Sequence, residues 1–238
     1  MKTFIDQSKI KERARLSNVA SVGGLMLLLG SVILPLFLPS WASAAYILMF
    51  IGMGVAMVGI YFANRWVRKP RPEESLAKAL KSFDHKYCLY HYPVLPCDHL
   101  LLTPTGVIVL EVVNLASHFS YKNGKWKEAM TVGRALRYIV EERIGNPILA
   151  AKQAAQEISR ILQQQFGADC LIPVQSMIIF THPLVQLDIE NPPIPICNVQ
   201  KLKRQLTAKA PRLPLETYEK LAVYFENRTY LLKSMKAE

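Results

Sequence analysis

The residues best placed to do chemistry lie in the stretch DHLLLTPTGVIVLEVVN, Asp98 to Asn114. It is almost wholly apolar, yet it carries Asp98 at its start and Glu111 inside its most hydrophobic part. The tetrad Thr103-Pro104-Thr105-Gly106 has Pro at the second turn position and Gly at the fourth, as a type I turn prefers. It joins two runs of strand character, Cys97–Thr103 and Val107–Val113. Pairing Thr103 with Gly106 sets Leu102 against Val107 and, by continuation, Asp98 against Glu111. Opposed side chains of an antiparallel ladder share one face, with Cβ atoms about 5 Å apart. Two carboxylates so held repel each other unless a cation, a proton or a basic side chain lies between them. A hard divalent ion that prefers oxygen ligands, Mg²⁺ or Mn²⁺, is the most economical occupant. Asp98 and Glu111 are therefore the candidate metal ligands and catalytic carboxylates, and Val113 shares their face.

These strands belong to a chain of mixed character. Glu73 to Leu80 reads as a helix with acids in its first turn and Leu76, Leu80 and Phe83 along one side. Lys86–Leu95 is rich in Tyr and Val and suits a strand. His118–Tyr121 and Lys125–Glu128 flank Lys122-Asn123-Gly124, a hairpin signal built on Asn-Gly. Asn146-Pro147 opens the clearest helix, with Asn as N-cap and Pro at the first helical position. Along it Ile148, Ala151, Ala155, Ile158 and Leu162 step by three and four, and Gly167 follows its end. Ile172–Phe180 is a continuous apolar strand, and Thr181–Pro195, with four prolines, reads as a loop. Helical segments near Val199–Ala208 and Leu215–Asn227 complete the chain. This order implies an α/β domain, a mixed sheet covered by helices, over residues 73–238.

Ahead of it lies an appendage of different composition. From Leu16 to Asn64 there is no Asp, Glu, Lys, Arg or His. So long an uncharged run suffices for two membrane passes of about 20 residues each. They are expected near Val19–Leu38 and Ala44–Ala63, a transmembrane hairpin over residues 19–63 joined through Pro39-Ser40-Trp41-Ala42-Ser43. Ala42-Ser43-Ala44 has the form of a leader cleavage site, but the apolar stretch before it is longer than a leader's. Small residues at four-residue spacing, Ala20/Gly24 and Gly52/Ala56, would let the helices approach closely. Lys2, Lys9, Lys11, Arg13 and Arg15 sit in a basic segment 1–18, and Arg65, Arg68, Lys69 and Arg71 in a basic linker 64–72. By the positive-inside rule both flanks are cytoplasmic, which predicts a multi-pass protein of the cell (inner) membrane with its large domain in the cytoplasm.

Of the formal charge of +11, most belongs to these flanks. After Pro72 there are 20 Lys/Arg against 16 acids, so the net basicity points first to topology and anionic lipid and only weakly to nucleic acid. The expected partners are the lipid bilayer through 19–63 and a nucleic acid; the sequence specifies no membrane-protein partner. Cys88, Cys97, Cys170 and Cys197 form no C-x-x-C pair and read as reduced, mostly buried thiols. His85, His91 and His99 have no spacing that suits one metal-binding face, and the register aims His99 away from the acids. Lys201, Lys203, Arg204, Lys209 and Arg212 could meet phosphates, though a solvated helix face is the plainer reading.

The pattern as a whole resembles the nuclease-related (NERD) domain, a branch of the PD-(D/E)xK nuclease superfamily. Members read as an acid–His pair, an apolar strand, a turn, then V-x-x-hydrophobic-E-x-K-N. Asp98-His99, Gly106-Val107 and Glu111-x-x-Asn114 stand in those places, and Gly124-Lys125-Trp126 and Asn146-Pro147 also match. The resemblance covers Glu73 to Phe180 and implies a restriction-endonuclease-like fold with Asp98 and Glu111 as metal carboxylates. Glu73 or Glu74 matches a first-helix acid of the superfamily; a helix-dipole acid is an equal reading. The departure is Val113, where the family has the lysine that orients the attacking water. Losing one preorganised donor of that kind commonly costs about 10²–10³ in rate. Three expectations result. One is a degenerate domain keeping the fold and a metal or nucleic-acid contact. Another is an active nuclease whose lysine has migrated, with Lys152 first and Lys125 and Lys127 behind it. The third is a non-enzymatic membrane scaffold or regulator, with Glu111 hydrogen-bonded to a helix end or paired with Arg134 or Arg137.

Overall fold

In the computed structural model, residues 1–129, 144–167, 170–206 and 211–235 are described, with side chains to residue 230. Arg134, Arg137 and Lys209 lie outside the described residues. The chain divides into two compact units, one containing residues 7–71 and the other built from residues 1–6 with most of the chain after Arg71.

The larger unit holds a six-stranded mixed sheet in the order β1-β2-β3-β4-β7-β9. Its strands are β1 (Lys2–Ile5), β2 (Cys88–His91), β3 (His99–Thr103), β4 (Gly106–Val113), β7 (Val174–Phe180) and β9 (Ile196–Asn198). Helix α3 (Pro72–Leu80) precedes β2, and α4 (Pro147–Phe166) carries the crossover from β4 to β7, which pair in parallel. The short α5 (Leu202–Gln205) and the long α6 (Leu215–Met235) finish the chain. Asn146 caps α4 as its sequence foretells, the side-chain oxygen accepting from the Leu149 amide at 3.2 Å. A second sheet, β6-β5-β8, comprises β5 (His118–Lys122), β6 (Lys125–Glu128) and β8 (Gln186–Ile189).

Helices cover both faces of the large sheet because its strands alternate between two apolar sets. One face packs Leu76 and Leu80 of α3 and Leu202 of α5 on Leu89, Leu101, Ile108 and Leu110. The other packs Ile158 and Leu162 of α4 and Leu221 and Phe225 of α6 on Tyr90, Leu100, Leu102 and Val109. A third cluster joins the small sheet to the α4 face through Phe119, Tyr121, Ile148, Ala151, Ile178 and Phe180. The mixed α/β architecture matches the expectation from sequence.

Three elements depart from it. The basic segment 1–18 is not uniform: Lys2–Ile5 forms an edge strand parallel to β2, with Phe4 stacked on Tyr90 at 4.9 Å. The proline-rich run after Phe180 contains β8, parallel to β5, and Lys122 ties the two with contacts to Asp188 at 2.9 Å and Glu190 at 2.7 Å. The segment expected as a helix from Val199 begins as a 3₁₀ turn and continues as the four residues of α5.

The smaller unit is a helical pair, α1 (Gln7–Phe37) and α2 (Ala42–Trp66), joined by a 3₁₀ turn at Pro39–Trp41. Both helices are long and apolar enough to cross a membrane by length and composition. At 1.5 Å per residue the 31 residues of α1 span about 46 Å, against about 30 Å of bilayer hydrocarbon. The surplus is the basic first part of the helix. Buried positions recur every seven residues, at Ile10, Ser17, Gly24 and Ser31 in α1 and at Ala45, Gly52, Gly59 and Trp66 in α2. Of the small residues the sequence singles out, Gly24, Gly52 and Ala56 lie at the close contact, while the buried positions recur with a two-turn period. A Cβ on Gly24 would stand 2.6 Å from the Ala56 nitrogen, and one on Gly59 2.6 Å from that of Ser21. Ser17 donates to the Gly59 carbonyl at 3.0 Å.

Candidate functional site

The turn between β3 and β4 forms as its chemistry requires. Thr103 Oγ1 accepts from the Thr105 amide at 3.2 Å and donates to the Gly106 carbonyl at 2.9 Å. Gly106 passes so close to β7 that a Cβ would sit 2.5 Å from the Pro173 carbonyl oxygen. The register is the one the turn dictates: Thr103 against Gly106, Leu102 against Val107, Leu100 against Val109.

That ladder stops at Leu100 and Val109. Asp98 lies in the bend just before β3, half-buried, with its carbonyl accepting from the Tyr92 amide at 2.7 Å. Glu111 remains within β4, half-buried, beside Ile178 of β7. By the alternation of strand side chains Glu111 falls on the sheet face of Val109, which is the face of α4 and α6, whereas Asp98, in the bend, lies outside the ladder that would set it opposite Glu111. Val113, next on that face, is only 8% exposed and packs in the cluster of Ile148, Ala151 and Phe180.

The three candidate substitute lysines are all exposed, Lys152 on α4 just after fully buried Ala151 and Lys125 and Lys127 on β6. Lys152 and the acids are thus contributed by different elements, α4 against the β3–β4 hairpin. Among the described residues no group of three or more His, Cys, Asp or Glu is arranged to hold a metal ion. Of the residues singled out from the sequence, Asp98 and Glu111 are those that could hold such an ion. Hard oxygens of this kind suit Mg²⁺ or Mn²⁺, which characteristically keep several waters.

Sequence reasoning missed a buried polar cluster on the opposite face. Tyr92 takes a left-handed backbone conformation, φ 57°, at the end of β2. This is rare for a bulky residue and breaks the strand alternation. Its hydroxyl donates to Glu73 Oε2 at 3.1 Å, and its ring lies 5.1 Å from that of His99. His99 in turn shares a 2.8 Å Nδ1–Nδ1 hydrogen bond with His91, and both histidines are buried. Burial, and then the neighbouring His99, hold His91 well below the ordinary histidine range, so it is neutral at pH 7. Glu73 is 2% exposed and belongs to this cluster, a firmer role than a helix-dipole acid. His99 points to the face opposite that of Glu111, whereas His85 is exposed beside Asp84. The one signal for the cluster in the sequence is the matching parity of His91 and His99 across β2 and β3.

The cysteines are all free thiols, Cys88 and Cys197 buried. Burial pushes the Cys197 thiol up to about 11, against an opposing effect of Lys201, which makes it a poor nucleophile. Of the basic C-terminal residues, Lys201, Lys203 and Arg204 cluster at the 3₁₀ turn and α5.

An α/β domain with an acid-bearing β-hairpin next to a crossover helix is the class of protein that fold and site define. The comparison with known families gives a particular likeness: residues 70–181 match the nuclease-related domain (NERD). Comparisons with curated proteins and with solved structures return no match.

Proposed function

We propose that this chain is a membrane-anchored nuclease-related domain whose site binds a divalent metal and contacts nucleic acid with little or no cleavage. The observation that carries the reading is Val113. Its side chain sits in an apolar cluster at the position where the resemblance places a catalytic lysine, two residues after Glu111 on the same face of β4. A valine neither donates a hydrogen bond nor carries charge, so the site holds a metal more readily than it activates water. Asp98 and Glu111 would hold Mg²⁺ or Mn²⁺, which would supply charge neutralisation at a phosphate. The exposure of Lys152 favours this over an active enzyme with a migrated lysine. Anchorage is supported by the length and apolar composition of α1 and α2, and the basic flanks favour the cytoplasmic side of the cell membrane for the domain.

The test uses the full chain in detergent micelles. Titration with Mn²⁺ should show binding that Asp98→Ala abolishes, and plasmid DNA with Mg²⁺ should stay intact with wild type and be cut by Val113→Lys. Robust cutting by wild type that vanishes in Lys152→Ala would replace this reading with the migrated-lysine one. Absence of metal binding and of cutting in every variant would leave a scaffold role.

A further inference from the structure

We propose that the helical pair is an insertion within the nuclease-related domain, whose N-terminal strand closes the large sheet on the far side of the hairpin in sequence. The proposal rests on the membrane reading above only for the medium around the helices. The strand order is the observation: β1 lies before α1 in the chain, β2 lies after α2, and the two pair directly. Lys2, Thr3, Phe4 and Ile5 register with Cys88, Leu89, Tyr90 and His91. The pairing is more than an edge contact of backbone. Phe4 lies flat on Tyr90, 9° from parallel, and meets Tyr230 edge-on at 6.3 Å. The Met1 amine donates to the Phe83 carbonyl at 2.7 Å, the Lys2 amide to that of Tyr87 at 3.0 Å and the Asp6 amide to that of His91 at 3.3 Å.

A chain that leaves a sheet, crosses a bilayer and returns to the same sheet must cross an even number of times. The two spans are then obliged to enter and exit on one side, independently of their charge. The basic residues in the first part of α1, Lys9, Lys11, Arg13 and Arg15, and those at the end of α2 and after it, Arg65, Arg68, Lys69 and Arg71, then fall on that one side, the arrangement the positive-inside rule requires. The domain is in turn incomplete until the first six residues and those after Pro72 stand on the same side of the membrane.

Three measurements on the full chain test this. In Lys2→Cys, mild oxidation of isolated membranes should form a disulfide with native Cys88, seen as a linked peptide by mass spectrometry, because paired strands hold Cα atoms within disulfide reach. Thr3→Cys, on the other face, should not bond Cys88. Phe4→Asp, in detergent, should lower the thermal midpoint by about 5 °C or more. In sealed vesicles, cysteines introduced at Lys11 and Lys69 should react with an impermeant reagent from the same side. A Phe4→Asp midpoint equal to wild type, a Cys88 bond to residue 3 in place of residue 2, or labelling from opposite sides would overturn the insertion. Alkaline carbonate decides the membrane reading separately. Release of the protein while the 2–88 bond still forms would end the anchor and keep the inserted architecture.

Discussion

The Val113→Lys replacement tests the central physical claim, that Val113 is held in a dry apolar pocket within reach of Glu111. Valine at 8% exposure forfeits about 1.5–2 kcal/mol of burial when its methyl groups are removed from the cluster of Ile148, Ala151 and Phe180. An ammonium left there unpaired would cost several kcal/mol more. Glu111 lies two residues back on the same strand face, about 7 Å along the strand, which an extended lysine stem spans. Pairing with it offsets most of the desolvation, and the expected net loss is about 2–4 kcal/mol. For a domain of this size each kcal/mol moves the midpoint by about 2–4 °C. Scanning fluorimetry on the detergent-solubilised full chain should therefore show a fall of about 5–15 °C. In a Glu111→Gln background the lysine loses its partner, and the cost of Val113→Lys should grow by about 1–3 kcal/mol. A Val113→Lys protein as stable as wild type, with no coupling to Glu111, would refute the buried position and with it the reason for proposing a site without cleavage.

Three further outcomes are expected. His91 is neutral when folded but titrates near 6.5 when unfolded, so protons favour unfolding as pH falls below that value. Stability is full above about pH 6.5 and declines by up to about 1.4 kcal/mol per unit below it, until the depressed folded pKa is reached. Thermal midpoints at pH 7.5 and 5.5 should differ, and His91→Leu should shrink the difference; a flat profile in the wild type would count against the buried neutral pair. Gly59→Leu places atoms where a Cβ already meets Ser21 at 2.5 Å, and should weaken the α1–α2 association by about 1–3 kcal/mol, measured as increased protease sensitivity of the pair in detergent. Gly106→Ala, facing the Pro173 carbonyl, should lower stability by more than about 2 kcal/mol in urea unfolding of the full chain, while Gly124→Ala, with open space around its Cβ, should cost less.

The sequence is legible where structure is local. The β3–β4 register is set by Thr103-Pro104-Thr105-Gly106 alone, because a tight turn and a two-residue alternation fix every later pair. Helix α4 is announced by Asn146-Pro147 and its apolar spacing. The expected pairing of Asp98 with Glu111 extends that register beyond the observed ladder, which stops at Leu100 and Val109. The unread elements depend on partners remote in the chain. Four residues of β1 carry no turn signal of their own, and Cys88–His91, which they pair with, lie beyond the whole hairpin. Strand β8 is concealed among prolines because its parallel partner β5 belongs to another segment. The Glu73–Tyr92 bond needs a left-handed tyrosine, which no local pattern announces.

The seven-residue interval in the helical pair bears on how this chain can drift in sequence. Where two backbones approach so closely, the permitted change at Gly24, Gly52 and Gly59 is almost nil, and Ser17 is held by the carbonyl it bonds. Between them, outward positions such as Leu25, Met26, Val32, Ile47 and Phe50 are exposed, so any side chain of similar hydrophobicity serves there. A saturation library of residues 16–64 should consequently show tolerance that rises and falls with a two-turn period, intolerant at these small positions and permissive elsewhere. The residues that make the pair specific are thus its smallest, and the conspicuous leucines and phenylalanines are its most replaceable.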